Sequence, residues 1–228
     1  MTEIATLDAG DGHSLTAHFS TPSGRARGAI VVVQEIFGVN GHIQSVCDRF
    51  ASDGWVAVAP ALFDRVEHSV ELDYDEDGAT EGRRLKGGIG LEEALTDIAA
   101  SAEAAAAEVG GPERVGVVGY CWGGSLAAAA SVFLGHMLGA AVGYYGSQVV
   151  DLVGQTPQAP LLLHLGELDA GVPPADVEVI RAAWPDVPIH VHPGAQRGFN
   201  CDQSASFHQT AAAGALETTF QFLSSHLD

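Results

Sequence analysis

The sequence predicts a single-domain α/β fold, a mostly parallel sheet flanked by helices and without a large cap domain. Three observations predict it. Short β-branched runs recur along the 228 residues, and stretches with helical apolar spacing separate them. Most of the runs are apolar without alternation, as expected of strands buried on both faces. Strands alternating with helices imply right-handed crossovers and a sheet covered on both sides.

Taken in order, Ser14–Phe19 lies between two turn clusters and predicts antiparallel pairing at one edge. The apolar runs Ala29–Val33, Val56–Ala59, Val115–Gly119, Ala140–Tyr144, Pro160–Leu165 and Ile189–His192 predict the remaining strands. Cys47 falls in a helical stretch. Leu91, Leu95, Ile98 and Ala102 share one helical face, and Gly110-Gly111-Pro112 stops that helix. Ser125–Leu134 is rich in Ala and Leu, and Asp176–Ala183 carries Val177 and Ile180 at a helical spacing that continues to Trp184. The last helix, Ser206–Leu223, sets Phe207, Leu216, Phe220 and Leu223 on its buried side. No linker, repeat or low-complexity tract divides residues 1–228, so one domain is expected. Eight acids crowd into the stretch from Asp64 to Glu81, which reads as a solvated excursion. Its acids lack tight ligand spacing, and no metal site is expected.

Charge narrows the function. Ten Lys and Arg stand against 29 Asp and Glu, a formal net charge of −19, whereas phosphate binding needs a basic surface. Nucleic acids and anionic membranes are therefore excluded as partners. No apolar stretch reaches the roughly 18 residues of a membrane span, and Met1 to Gly12 carries no secretory signal. Three cysteines are too few for a disulfide framework, so a reducing cytoplasm is the expected compartment. A monomer or small homo-oligomer acting on a small molecule, without a cofactor, is the expectation.

The chemistry gathers at Gly119-Tyr120-Cys121-Trp122-Gly123, which follows one apolar run and precedes a helical one. This is G-x-C-x-G, the cysteine form of a nucleophile elbow. Small residues on each side let the backbone turn sharply from strand to helix. The turn lifts the nucleophile above the sheet and exposes the next backbone N–H. A thiol at a helix N-terminus also gains from the helix dipole, which favours the thiolate. An elbow of this kind takes an acid and then a base later in the chain. Asp169, in Gly166-Glu167-Leu168-Asp169 after an apolar run, stands where the acid belongs. The base belongs after Ile189–His192, in the segment Pro193-Gly194-Ala195-Gln196-Arg197-Gly198-Phe199-Asn200.

These motifs, with Gln34-Glu35-Ile36-Phe37-Gly38-Val39-Asn40 and Ala141-Val142-Gly143-Tyr144-Tyr145-Gly146, make nearly the whole chain resemble the dienelactone hydrolase family of α/β-hydrolases. The resemblance implies a Cys–His–Asp triad that opens lactones or cleaves esters. By position, Cys121 resembles the nucleophile and Asp169 the acid. The backbone N–H groups of Ile36 and Trp122 resemble an oxyanion hole. Glu35 resembles the family's buried glutamate that contacts the resting thiol. Phe37, Trp122, Tyr145 and Phe199 are candidates to line an apolar acyl pocket.

The departure is at the base. The family places its histidine immediately before the Gly-Phe pair, where this sequence has Arg197. Arginine stays protonated and cannot accept a proton at neutral pH. It can favour a thiolate and pair with Asp169, but it cannot activate water. Among other histidines, His192 ends the final strand on the same face as His190 and is the best-placed substitute. His208 is expected on the following helix, and His164, inside an apolar strand, reads as core. The family also holds a substrate carboxylate with arginines. One of those positions is Cys201 here, and for the other Arg65, Arg83 and Arg84 offer no clean match.

Two readings follow. The first is an ester or lactone hydrolase, carboxymethylenebutenolidase-like, with turnover weakened by Arg197. The second is a non-catalytic small-molecule binding protein that keeps the hydrolase pocket. Acyl transfer to an acceptor other than water is a weaker third, because no acceptor site is legible.

Overall fold

The β-branched runs become strands of one eight-stranded sheet in the computed structural model, which describes residues 1–228. They are β1 (Thr2–Asp8), β2 (Ser14–Ser20), β3 (Ala29–Val33), β4 (Val56–Pro60), β5 (Val115–Tyr120), β6 (Ala140–Tyr144), β7 (Leu161–Gly166) and β8 (Ile189–His192). Across the sheet the order is β1-β2-β4-β3-β5-β6-β7-β8. The first two pairings are antiparallel and the rest parallel. Six helices accompany them: α1 (Gly41–Ser52), α2 (Glu76–Gly87), α3 (Leu91–Val109), α4 (Trp122–Phe133), α5 (Pro174–Ala183) and α6 (Gln209–Leu227).

The unbroken apolar runs have a direct cause. In β3, Ala29, Val31 and Val33 enter one core layer, beneath α3 and α4, while Ile30 and Val32 enter the other, beneath α1 and α6. A strand sandwiched this way has no polar face to show. Because β3 lies between β4 and β5, the direction of winding reverses beside it, which opens a crevice at the carboxyl ends of β3 and β5. The loops after β3, β5, β7 and β8 all emerge on that side.

Several elements depart from the sequence expectation. The last helix starts at Gln209, not Ser206, and His208 caps it by accepting the Ala211 N–H at 3.2 Å. Its buried stripe is Ala211, Ala215, Thr219, Leu223 and Leu227, while Phe207 is exposed outside the helix. Small residues at every fourth position let α6 lie close to the sheet. Thr219 there meets the Tyr144 hydroxyl at 2.6 Å and His164 Nε2 at 3.2 Å. Leu91 opens α3 exposed to solvent, whereas Leu95, Ile98 and Ala102 are buried as expected.

Most acids of the stretch are exposed, as a solvated excursion would have them, but the segment is also anchored to the fold. Asp64 is buried and accepts both the N–H and the hydroxyl of Thr16, at 2.8 and 2.7 Å. Asp75 caps α2 by accepting the Gly78 N–H at 2.7 Å. Leu72 N–H bonds the Phe37 carbonyl at 2.9 Å, pinning the segment to the loop after β3. In α2, Gly82 packs so tightly on the Ile36 carbonyl that any Cβ would overlap it. The acids therefore fix a helix over the crevice. No helix is long and apolar enough to cross a membrane.

Arg65, considered from sequence as a substrate arginine, is structural. Its guanidinium meets Asp97 in two bonds of 2.8 and 2.7 Å and also contacts Asp11 at 2.8 Å. Asp97 is fully buried, so its removal strips a nearly buried cation of two hydrogen bonds and leaves it only the half-exposed Asp11 and Glu93. Asp97→Ala is expected to lose about 3–5 kcal/mol of stability, measured by urea denaturation. A loss below about 1 kcal/mol would contradict the structural role.

Candidate active site

Cys121 sits between β5 and α4 with φ 56° and ψ −112°, a left-handed backbone that side chains other than glycine seldom adopt. Such a conformation costs on the order of 1–3 kcal/mol and persists where neighbours enforce it. Here they do. A Cβ at Gly119 would strike the Gly123 carbonyl, one at Gly123 the carbonyls of Val33 and Gln34, and one at Gly124 the Tyr144 backbone. The Cys121 N–H bonds the Tyr144 carbonyl at 3.0 Å, and its own carbonyl accepts from Gly124 and Ser125. The elbow is thereby clamped between β3 and β6. The Trp122 N–H points at the Cys121 sulfur, and the Ile36 N–H bonds nothing within the chain.

Asp169 and Arg197 converge on this sulfur. Asp169 is buried beyond β7, where its Oδ1 accepts the Gly171 N–H at 2.8 Å. Its Oδ2 meets Arg197 Nη1 at 3.4 Å. Arg197 Nη2 donates to Cys121 Sγ at 3.1 Å and reaches Ser147 Oγ at 3.5 Å. The connectivity is that of a triad, nucleophile to middle residue to acid, with a guanidinium in the middle.

The electrostatics correct one expectation. Burial pushes the Cys121 thiol up; Arg197 and the Trp122 N–H pull it down, and Glu35 pushes it up again. Burial prevails, so the thiol is held above its ordinary value despite its place at a helix N-terminus. Arg197 is held further above its ordinary value, because Cys121 and Asp169 outweigh its own desolvation.

These residues open onto a cavity of about 540 Å³ lined by Glu35, Ile36, Phe37, Tyr74, Asp75, Ala79, Arg83, Lys86, Cys121, Trp122, Ser147, Gly171, Arg197, Gly198, Cys201, Ser204 and Ser206. A larger groove, of about 620 Å³, lies elsewhere beside α3 and holds none of the elbow chemistry.

Phe37 and Trp122 line the cavity as expected, but Tyr145 and Phe199 do not. Both are fully buried and pack edge-on, with ring centroids 5.4 Å apart, in the core layer beneath the elbow. They shape the floor's support rather than its surface.

Glu35 makes no hydrogen bond to Cys121; its Oε2 accepts from the Tyr74 hydroxyl at 2.7 Å. The sulfur is instead held by Arg197 Nη2, at 3.1 Å. His192 lies outside the cavity and pairs with His164 Nδ1 at 3.1 Å, so it does not replace the missing base. His164 is a buried core residue, as expected.

Sequence reasoning missed Tyr74, Ser147 and Lys86. Ser147 directly follows Tyr144-Tyr145-Gly146, a signal that was available, whereas Tyr74 lies in the acidic stretch with no local pattern to mark it. Of the arginines weighed for substrate, Arg83 faces the cavity, and Arg84 instead pairs outside it with Glu81 and Glu67. Lys86 is lowered by its burial and by Arg197, against the pull of Cys121.

The family model described as dienelactone hydrolase family matches residues 15–227. A carboxymethylenebutenolidase of Pseudomonas putida is 30% identical over 231 residues, covering 98% of this chain and 96% of the relative. A Synechocystis sp. protein provisionally named carboxymethylenebutenolidase is 35% identical over 216 residues, covering 87% and 86%. A Klebsiella pneumoniae crystal structure, of a protein provisionally named a dienelactone hydrolase, superposes with a TM-score of 0.83 at 27% identity, covering 98% of each chain.

The charge balance at the sulfur is measurable. Cys47 is fully buried and Cys201 borders the cavity, so iodoacetamide in a Cys201→Ser background should report Cys121. Its labelling rate is expected to keep rising with pH beyond the ordinary thiol value of 9.0. Arg197→Gln removes a contribution that lowers the thiol, so the midpoint moves higher and labelling at pH 8 slows by roughly tenfold or more. An unchanged rate would show that Arg197 does not act on the sulfur.

Proposed function

The chain belongs to the dienelactone hydrolase family of ester and lactone hydrolases, and we propose that it cleaves a small carboxylic ester or lactone through an acyl-enzyme on Cys121 that Arg197 cannot readily discharge. The observation that carries this reading is Arg197 between Cys121 Sγ and the Asp169 carboxylate, at 3.1 and 3.4 Å.

In the first half-reaction the thiol gives its proton to solvent water and the sulfur attacks the carbonyl carbon. The guanidinium stabilises the thiolate while it exists, although it cannot take the proton. The carbonyl oxygen gains negative charge, which the N–H groups of Ile36 and Trp122 are suited to receive. The bond to the leaving oxygen then breaks. A leaving group that departs as a stable anion needs no proton donor, so acylation survives with such esters.

The second half-reaction adds water to the thioester, breaks the C–S bond and returns the sulfur. Water must give up a proton as it attacks, and neither group beside the sulfur is free to accept it. Arg197 is protonated, and Asp169 is engaged by Arg197 and by the Gly171 N–H. Absence of the base costs about 10²–10⁴ in rate.

Arg83, Lys86 and Arg197 give the cavity three basic groups against Glu35 and Asp75, a positive excess within a −19 protein. This supports a substrate bearing an acidic group, with Arg83 and Lys86 as its partners in place of the arginine lost at Cys201. The three free thiols fit a reducing compartment, and a cytoplasmic location belongs to the same reading.

The upward-shifted thiol favours the second reading, a binding protein that has lost turnover, and one assay separates the two. With p-nitrophenyl acetate, slow p-nitrophenol release is expected that vanishes in Cys121→Ala. Arg197→His should raise steady turnover by about 10²–10⁴. Release that persists in Cys121→Ala, or equal turnover with Arg and His at 197, would overturn the catalytic assignment. Absence of release from both the protein and Arg197→His would favour the binder.

A further inference from the structure

Two side chains seven residues apart meet a third from far along the chain at the edge of the cavity. Glu35 comes from the loop after β3, His42 from the first turn of α1, and Cys201 from the loop after β8. One donor atom from each lies within 4.8 Å of the other two, and all three residues are buried. Thiolate, imidazole and carboxylate together form the donor set of a borderline metal such as zinc. Calcium and magnesium, by contrast, take oxygen alone.

The second observation is at His42, which is 1% exposed. Its Nδ1 faces Asp202 Oδ1 at 3.4 Å, while its Nε2 is buried without any hydrogen-bond partner. Donation from Nδ1–H to Asp202 leaves the lone pair on Nε2. A carboxylate behind one imidazole nitrogen, with the other nitrogen free, is the arrangement that orients a metal-binding histidine. An isolated core histidine would normally satisfy both nitrogens.

Glu35 is prepared in the same way. Tyr74 donates to its Oε2 at 2.7 Å, which fixes the carboxylate and leaves Oε1 unengaged. Metal binding at Cys201 takes the thiolate and releases the thiol proton to solvent. Glu35 and Cys201 also line the cavity, which provides an entry path from solvent.

We propose that Glu35, His42 and Cys201 form a three-donor site for a divalent transition-metal ion of the zinc class, with Asp202 and Tyr74 orienting the imidazole and the carboxylate. Bonds of ~2.0–2.3 Å to a tetrahedral zinc place donors about 3.3–3.8 Å apart, so the cluster closes by at most about 1.5 Å on binding. The fourth position is left to water or a small ligand. The site stands whether or not Cys121 is a nucleophile.

The test uses the intact, chelator-stripped protein. Zinc is titrated against a chromophoric chelator, and cobalt(II) is titrated separately while absorption is followed. The expected result is one equivalent of zinc bound, and a thiolate-to-cobalt charge-transfer band that remains in Cys121→Ala and disappears in Cys201→Ser. Asp202→Asn should weaken zinc binding by about 10–100-fold, and His42→Gln by more. Cys201→His retains a donor, and it should recover zinc binding without the cobalt band.

If a buried variant fails to fold, the wild-type and Cys121→Ala cobalt spectra still decide the matter. A wild-type protein with no stoichiometric zinc binding would overturn the proposal. So would a charge-transfer band that follows Cys121, or zinc affinity unchanged in folded Cys201→Ser and His42→Gln.

Discussion

A guanidinium held between a sulfur and a buried carboxylate organises the candidate site. Arg197 Nη2 reaches Cys121 Sγ at 3.1 Å, and its Nη1 faces Asp169 at 3.4 Å. The elbow's left-handed backbone presents the sulfur, and the loop after β8 brings the guanidinium to it. The carboxyl ends of four parallel strands supply every group involved. The geometry of a triad survives the substitution, but the middle group is a fixed cation. It can stabilise charge and cannot exchange a proton, so the two halves of an acyl-transfer reaction are affected unequally.

That cation also belongs to a local field opposed to the molecule's own. The chain carries −19 overall, yet Arg83 and Lys86 project from α2 into the cavity beside Arg197. In a partly desolvated cleft such charges act on a ligand far more strongly than the screened acids outside. The acidic stretch contributes indirectly. Asp75 caps α2 through the Gly78 N–H, and Asp64 ties the start of the segment to Thr16 of β2. Gly82 then lets α2 rest on Ile36, whose N–H is one of the candidate oxyanion donors.

Much of this was legible in the sequence, because the signals were local. The unbroken apolar runs reported two-sided burial, and G-x-C-x-G reported a strained strand-to-helix turn before any coordinates were needed. Asp169 followed from chain order after its strand, and Arg197 from the position the family resemblance gives the histidine, before Gly198-Phe199. Features made by tertiary contact were not legible. Tyr74 has no periodicity that would aim it at Glu35, and Glu35, His42 and Cys201 are scattered over most of the chain. Phe199 and Tyr145 looked like pocket residues because they adjoin site motifs, but adjacency in sequence does not say which side of the loop faces solvent. The final helix departs for a related reason. The spacing of large apolar residues predicts Phe207, Leu216, Phe220 and Leu223 on its buried side, whereas Ala211, Ala215 and Thr219 beside Leu223 allow the closer approach.

The central claim is that the protein can acylate Cys121 and cannot efficiently discharge it. Intact-mass spectrometry after brief exposure to p-nitrophenyl acetate tests this most directly. The account predicts a long-lived single acetyl adduct that maps to Cys121 and is absent from Cys121→Ala. In Arg197→His the adduct should clear within the same interval. A protein that shows no adduct while releasing p-nitrophenol continuously would contradict the account, because some other group would then be serving as the base.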